Sequence, residues 1–171
     1  MMREPKSPRE LLIEEIRDLY SAESQLIRAL PAMGAGATNE ELRFVFEDRL
    51  VEARVHAARL EETMDGLHES PQGETSEAMR ELIAEAQRLA AEEPEPAILD
   101  LALISAIQRV EQYKVAAYGC ARTVAELAGD SHLARTFQLC LDEETRAEKR
   151  LNEIAMNLNL QATADDQSSS V

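Results

Sequence analysis

Apolar residues recur every three to four positions along most of the chain, and no stretch alternates apolar with polar residues. This period predicts α-helices and no β-strands. Four long helices are expected, at about 8–36, at about 39–67, from the segment EEPEPAI (92–98) to about 128, and from about 131 onward. A shorter amphipathic helix is expected near 76–91. Ser7-Pro8-Arg9-Glu10 and Thr38-Asn39-Glu40-Glu41 match the capping box, which marks the first two starts.

The connections between these helices suggest their arrangement. Short connections join the first helix to the second and the third to the fourth, while about thirty residues separate the second from the third. This asymmetry predicts an all-α four-helix bundle whose long crossover carries the short helix. We expect the first helix to continue, with a bend, past Pro31 to about Gly36. A single domain is expected over residues 1–160, followed by a disordered tail over 161–171.

Composition narrows the functional classes. The 171 residues carry a formal net charge of -15 without a cluster of Lys or Arg, which argues against a nucleic-acid partner. No run of apolar residues is long enough to cross a membrane and the charged start lacks a signal-peptide pattern, so a soluble, cytoplasmic protein is expected. Cys120 and Cys140 both fall within helical patterns, which favours buried free thiols over a disulfide or a metal pair.

Each long helix carries one glutamate on or beside its apolar stripe: Glu23, Glu52, Glu111 and Glu144. Counted from the turn between their helices, Glu111 and Glu144 lie roughly 25 and 20 Å along the helix axes, close to one level. Glu23 and Glu52 share a level only if the first helix continues past Pro31. A single glutamate of this kind commonly reaches out to water. Four together would need metal ions, shared protons or buried cations, and di-iron or di-manganese bundles use such carboxylates.

Four segments of the chain resemble a known family. The YciE/YciF family of ferritin-like stress-response proteins is similar, in order and over residues 8 to about 158, to DLYSAESQLIRALPAM, FEDRLVEARVHAARLE, ALISAIQRVEQYKVAAYG and LCLDEETRAEKRL. The resemblance implies a ferritin-like and rubrerythrin-like fold, a tendency to dimerise and a di-metal site, in a family whose reaction is poorly defined. The metal-site carboxylates that it implies are Glu23, Glu52, Glu111, Glu144 and Glu148.

Two positions depart from the pattern of that family. Arg49 stands where the family usually has a histidine, and Lys114 stands where it has a second glutamate. Neither cation can bind a metal ion at neutral pH, so both could replace some or all of the metal charge. His56, four residues after Glu52, could be a substitute ligand, although a histidine at the edge of a stripe more commonly packs or supports other ligands.

Two functions remain open at this stage. The first is a YciE/YciF-type protein that holds iron or manganese and protects against oxidants or stress, with a site left empty or partly occupied because of Arg49 and Lys114. The alternative is a metal-free, non-catalytic bundle that acts as a dimerising or partner-binding module. A homodimer is expected in both cases. The sequence identifies no catalytic residue and leaves open whether the protein is an enzyme.

Overall fold

The chain folds as an array of α-helices. The computed structural model describes residues 5–91 and 95–168, with side chains as far as Asn157. These residues form α1 (Pro8–Gly36), α2 (Glu40–Leu67), α3 (Glu77–Ala91), α4 (Pro96–Leu127) and α5 (Ser131–Ser168), and no strand lies among them. Four long helices and one short helix were expected, and this prediction is confirmed. The expected break within residues 92–94 lies outside the described residues.

The starts of the helices show one difference from the expected capping signals. Ser7 caps α1 as predicted, because its side chain accepts a hydrogen bond from the backbone N–H of Glu10 at 3.2 Å. Asn39, and not Thr38, caps α2. The backbone N–H and the hydroxyl of Thr38 instead donate to the buried carboxylate of Asp100, at 2.7 and 2.5 Å. Asp100 belongs to α4, so a contact between distant segments decides where α2 begins.

The long helices form two packed hairpins. The first consists of α1 and α2, the second of α4 and α5, and α1 also packs on α4. Helix α1 runs through Pro31 to Gly36, as expected. Helix α3 packs on the outside of the bundle against α4 and α1, with Met79, Ile83 and Ala86 buried. The four-helix bundle with a helix in its crossover is therefore confirmed.

The apolar core divides into two clusters. One includes Leu26, Leu30, Phe46, Met79, Ile104 and Ile107, and the other includes Ile16, Leu19, Leu60, Met64, Tyr118 and Phe137. Along each long helix, buried polar or charged residues lie between the two clusters. The bundle therefore holds a charged layer at mid-height, and this layer is the candidate site.

The end of the chain differs from the expectation of a disordered tail. Helix α5 continues to Ser168, so the expected boundary at residue 160 falls inside a helix. Residues 132–168 contain neither glycine nor proline, and no local signal stops the helix once it has started. Residues 169–171 of the expected tail lie outside the described part of the chain. No described helix is both long and apolar enough to span a membrane.

Candidate functional site

Six buried side chains form the charged layer. They are Glu23 of α1, Arg49 and His56 of α2, Glu111 and Lys114 of α4, and Glu144 of α5. Each occupies a position on the inward stripe of its helix that an apolar residue would otherwise fill. All four helices of the bundle thus contribute a charged or titratable group to one level.

Lys114 points into the centre of this layer. Its side chain is buried, and its Nζ lies 2.6 Å from Glu144 Oε1 and 3.2 Å from Glu23 Oε1. Burial opposes the charged form, but the negative charges of Glu23 and Glu144 outweigh it and raise the pKa of Lys114 above its ordinary value. The ammonium therefore keeps its proton at neutral pH and lies between two carboxylates from different helices.

His56 is a second cation in the same place. Its Nδ1 lies 2.8 Å from Glu144 Oε1 and 3.3 Å from Glu23 Oε1, while its Nε2 lies 2.9 Å from Glu143 Oε2. Burial disfavours protonation, but hydrogen bonds to Glu144 and Glu23 outweigh it and raise the pKa of His56 to about 10. At neutral pH both ring nitrogens carry protons and donate to carboxylates.

The pKa values of Glu111 and Glu144 shift in opposite directions. Burial is the main reason that the pKa of Glu111 lies well above its usual value. Burial also disfavours the carboxylate of Glu144, but the charge of Lys114 and the hydrogen bond from His56 outweigh it and lower the pKa of Glu144. The two carboxyl groups therefore favour opposite protonation states, Glu111 the neutral form and Glu144 the charged form.

Arg49 extends the network to one side. Its Nη1 lies 2.5 Å from Glu52 Oε2 and 3.7 Å from Glu111 Oε2. Glu52 is partly exposed and sits at the edge of the layer. The guanidinium therefore lies between the carboxyl groups of α2 and α4, where the resemblance implies a metal ion.

Glu23 completes the layer on α1. Tyr118 donates a hydrogen bond to Glu23 Oε1 at 2.8 Å, and the Tyr118 ring meets the His56 ring edge-on with centroids 5.3 Å apart. Oε2 of Glu23 is buried and has no hydrogen-bond partner among the described residues. Several donors thus surround one oxygen of this carboxylate, while the other oxygen has no donor among the described residues.

The charges of the network balance. Glu23 and Glu144 face Lys114 and His56, Glu52 faces Arg49, and Glu143 faces Arg59, while burial raises the pKa of Glu111 and disfavours its charged form. Buried charges are tolerated when they are paired and hydrogen-bonded. The layer therefore needs no external counter-ion to exist inside the bundle.

The six residues predicted as metal ligands differ in their surroundings. Glu23, His56 and Glu144 offer ligand atoms within 4.8 Å of one another. Glu52 and Glu111 both lie within ion-pair distance of Arg49. Glu148 is partly exposed and accepts a hydrogen bond from Gln112 on the flank of the α4/α5 hairpin. That any of the six binds a metal ion stays a prediction.

The donor set does not fit a centre of two metal ions. Such a bundle site uses two Glu-x-x-His motifs, but Val55 and Ala147 stand three residues after Glu52 and Glu144. The Lys114 ammonium and the Arg49 guanidinium lie within ion-pair distance of the carboxylates that would hold the ions. A divalent ion would add charge to a balanced layer unless a resident cation left it.

Sequence reasoning missed a second set of residues beside His56. Glu143 accepts hydrogen bonds from His56 and from both terminal nitrogens of Arg59, and Arg59 also approaches Cys140 Sγ at 3.7 Å. Arg59 follows His56 by three positions on α2. Glu143 likewise follows Cys140 by three positions on α5. That spacing places both members of each pair on the same side of their helix, so the sequence pattern could have indicated these four residues. Cys140 is buried as expected, but Cys120 is exposed because it lies on the outer side of α4.

Comparison with known proteins identifies several relatives. Residues 7–164 match the family described as Domain of unknown function (DUF892). Protein YciF of Escherichia coli (strain K12) is 31% identical over 153 residues, which are 89% of this chain and 92% of YciF.

Two solved structures share the fold over nearly their whole length. The crystal structure of the E. coli stress protein YciF has a TM-score of 0.86 and 31% identity, and covers 90% of this chain and 98% of its own. YcfI from Rhodopseudomonas palustris, provisionally described as a structural protein, has a TM-score of 0.84 and 34% identity, and covers 89% and 97%. The similarity therefore extends from α1 into α5.

Proposed function

The chain belongs to the DUF892 family, and on that premise we propose that it is a YciF-like stress protein with a structural role. In this role, its own cations take the place of the metal ions of a ferritin-like centre. One observation carries the proposal: the buried ammonium of Lys114 lies 2.6 Å from Glu144 and 3.2 Å from Glu23. A cation that is part of the chain cannot be lost or exchanged as a metal ion can.

The network supports a structural role because it joins all four long helices. Lys114 of α4 contacts α1 and α5, while Arg49 of α2 contacts Glu111 of α4. Charged groups at fixed heights penalise sliding of one helix along another, since a slip would leave a buried charge without its partner. The bundle would then keep one register without a metal ion.

A metal-dependent oxidant-protection function is the second candidate. It is favoured by the three ligand atoms of Glu23, His56 and Glu144 within 4.8 Å of one another, and by the unpartnered Oε2 of Glu23. These donors would bind one ion only if the Lys114 ammonium moved away and His56 lost a proton. Lys114 is 2% exposed, so its withdrawal requires the surrounding helices to rearrange.

Metal uptake separates the two candidates. The protein is purified without chelators, its metal content is measured by mass spectrometry, and it is then titrated anaerobically with Fe(II) and Mn(II). We expect less than one iron or manganese ion per chain, and we expect the double variant Lys114→Glu/Arg49→His to take up more, since it gains an oxygen and a nitrogen ligand and loses two cations. Two iron or manganese ions bound per unmodified chain would overturn the proposal.

The matched control makes the same changes at exposed positions. Lys149→Glu/Arg54→His alters two exposed residues and changes the net charge equally. We expect its metal uptake to equal that of the unmodified protein. Equal gains in the buried and the exposed double variants would show that net charge, and not the loss of the resident cations, governs uptake.

We also propose that the protein forms a homodimer. Phe44, Val51 and Val55 are exposed on one face of α2, and this supports the expectation drawn from the resemblance. Light scattering across a dilution series should give twice the 19.0 kDa mass of one chain. Val51→Glu should shift the equilibrium toward the monomer, and a monomer at every concentration of the unmodified protein would exclude the dimer. The cytoplasmic location stays a prediction.

A further inference from the structure

A second group of potential ligands lies on the outer side of His56, between α2 and α5. The Nε2 of His56, the Sγ of Cys140 and a carboxylate oxygen of Glu143 all lie within 4.8 Å of one another. We propose that these three side chains form a mononuclear site for a borderline divalent cation of the Zn(II) class. The site shares His56 with the charged layer but uses none of the layer's carboxylates as ligands.

The donor types support this class of ion. An imidazole nitrogen, a thiolate sulfur and a carboxylate oxygen are the ligands that Zn(II) accepts, and three protein ligands leave a fourth position for water. Fe(II) and Mn(II) sites in helical bundles rely on carboxylates, whereas a thiolate selects softer ions. Cys140 therefore distinguishes this site from the centre that the resemblance implies.

The orientation of His56 suits a ligand. Its Nδ1 is held between Glu144 at 2.8 Å and Glu23 at 3.3 Å, and this contact directs Nε2 toward Glu143 at 2.9 Å. Metal-binding histidines commonly donate their other ring N–H to a carboxylate in this way. The charged layer thus fixes the His56 ring through Nδ1, and Nε2 faces the other two proposed ligands.

Arg59 provides an independent sign that this place holds a cation. Its Nη1 donates to Glu143 and lies 3.7 Å from Cys140 Sγ, so the guanidinium occupies the space between the sulfur and the carboxylate. Its side chain is 27% exposed and lines a cavity of about 730 Å³, together with Thr63, Thr136 and Leu139. Unlike Lys114, it can swing into open space and leave room for an ion.

Binding of the divalent cation in place of the Arg59 guanidinium balances in charge. One divalent cation enters, the guanidinium of Arg59 moves into the cavity, and two protons leave for the solvent, one from the thiol of Cys140 and one from Nε2 of His56. The total charge is unchanged, because two positive charges enter and two leave. No oxidant or reductant is needed.

Co(II) is a suitable probe because a thiolate bound to it gives a charge-transfer absorption in the near ultraviolet. We expect the full-length protein at neutral pH to show this absorption at one Co(II) per chain and to lose it when Zn(II) is added. Cys140→Ser should abolish the absorption and weaken binding at least tenfold. Cys120→Ser is the matched control, since it changes the other, exposed cysteine, and it should retain the full signal.

Two further variants test the geometry. Arg59→Gln should tighten Co(II) binding at least tenfold, because it removes the competing cation. Glu143→Gln should weaken binding, and because Glu143 is partly exposed, it tests the site even if Cys140→Ser fails to fold. The proposal is overturned if the unmodified protein shows no thiolate absorption, if Cys120→Ser loses it, or if Arg59→Gln binds no more tightly.

Failure of this proposal can be told apart from failure of the structural role. An ion held by Glu23, His56 and Glu144 has no sulfur ligand and gives no thiolate absorption. Iron uptake together with the thiolate absorption would contradict the structural proposal alone, and iron uptake without the absorption would contradict both proposals. The absorption without iron uptake would leave the structural proposal standing and support the thiolate site.

Discussion

Replacing Lys114 by methionine tests charge compensation inside the bundle directly. Methionine keeps most of the length and volume of the side chain and removes only the ammonium, so the neighbouring apolar packing changes little. In the variant, Glu23 and Glu144 face His56 as their one remaining cation in the centre of the layer. One of the two carboxylates then lacks a counter-charge at a site without access to water.

The expected loss is large. Removing one partner of a buried ion pair lowers the free energy of unfolding by about 3–5 kcal/mol, compared with a total of about 5–15 kcal/mol for a typical domain. The loss should shrink at low pH, because a carboxylate can then take up a proton in place of the missing cation. Adding Glu144→Gln to Lys114→Met should recover about half of the loss or more, since the two changes remove opposite charges that touch.

Urea unfolding, followed by circular dichroism in the presence of a chelator, gives the free energies of unfolding of the unmodified protein, of Lys114→Met and of the double variant. Lys149→Met is the matched control, because Lys149 is exposed and its replacement should change stability by no more than about 0.5 kcal/mol. A loss below about 1 kcal/mol in Lys114→Met would refute the reasoning. A double variant no more stable than Lys114→Met would refute it as well.

Three further predictions concern the fold and its pH dependence. Asp100→Ala should lower the free energy of unfolding by about 2–4 kcal/mol in urea, because it leaves the donors of Thr38 unpaired. Gly73→Ala should destabilise the protein by about 1 kcal/mol, since the new Cβ would lie 2.8 Å from the Cβ of an arginine. Gly66→Ala, in open space on a helix, should stabilise it by about 0.5–1 kcal/mol. Thermal unfolding shows whether the two variants shift the melting temperature in these opposite directions. The pKa of His56 is raised from 6.5 to about 10, so its contribution is complete below pH 6.5 and is lost as the pH rises through 10. Unfolding free energy should therefore fall from pH 7 to 10, and a fall of equal size in His56→Gln would contradict this.

The helices and their order were predictable from local signals. Apolar spacing, the cap at Ser7 and the short connections predicted the bundle, because each depends on residues close together in the chain. The passage of α1 through Pro31 followed from the need to bring Glu23 level with Glu52. The end of α5 was not predicted, since a polar composition suggested disorder while the absence of glycine and proline allowed the helix to continue to Ser168.

The start of α2 shows where local signals fail. Thr38 and Asn39 both have side chains that can cap a helix, and the capping box that begins at Thr38 favours Thr38. Asp100, 62 positions away from Thr38, binds the threonine and leaves Asn39 as the cap. The packing of α4, which carries Asp100, therefore decides which of these two adjacent residues caps α2.

The charged layer was predicted in part. The sequence by itself determined that a glutamate of each long helix would lie on or beside its inward stripe and that Lys114 and Arg49 would lie among them, because helical periodicity fixes the face that a residue occupies. Only the tertiary structure decided that Lys114 turns inward, that Glu52 and Glu148 remain at the edges, and that Glu143, Arg59 and Cys140 join His56. A long side chain can reach either water or a buried partner from the same backbone position. The choice depends on carboxylates that other helices bring within about 3 Å of it, and no local pattern in the sequence encodes that distance.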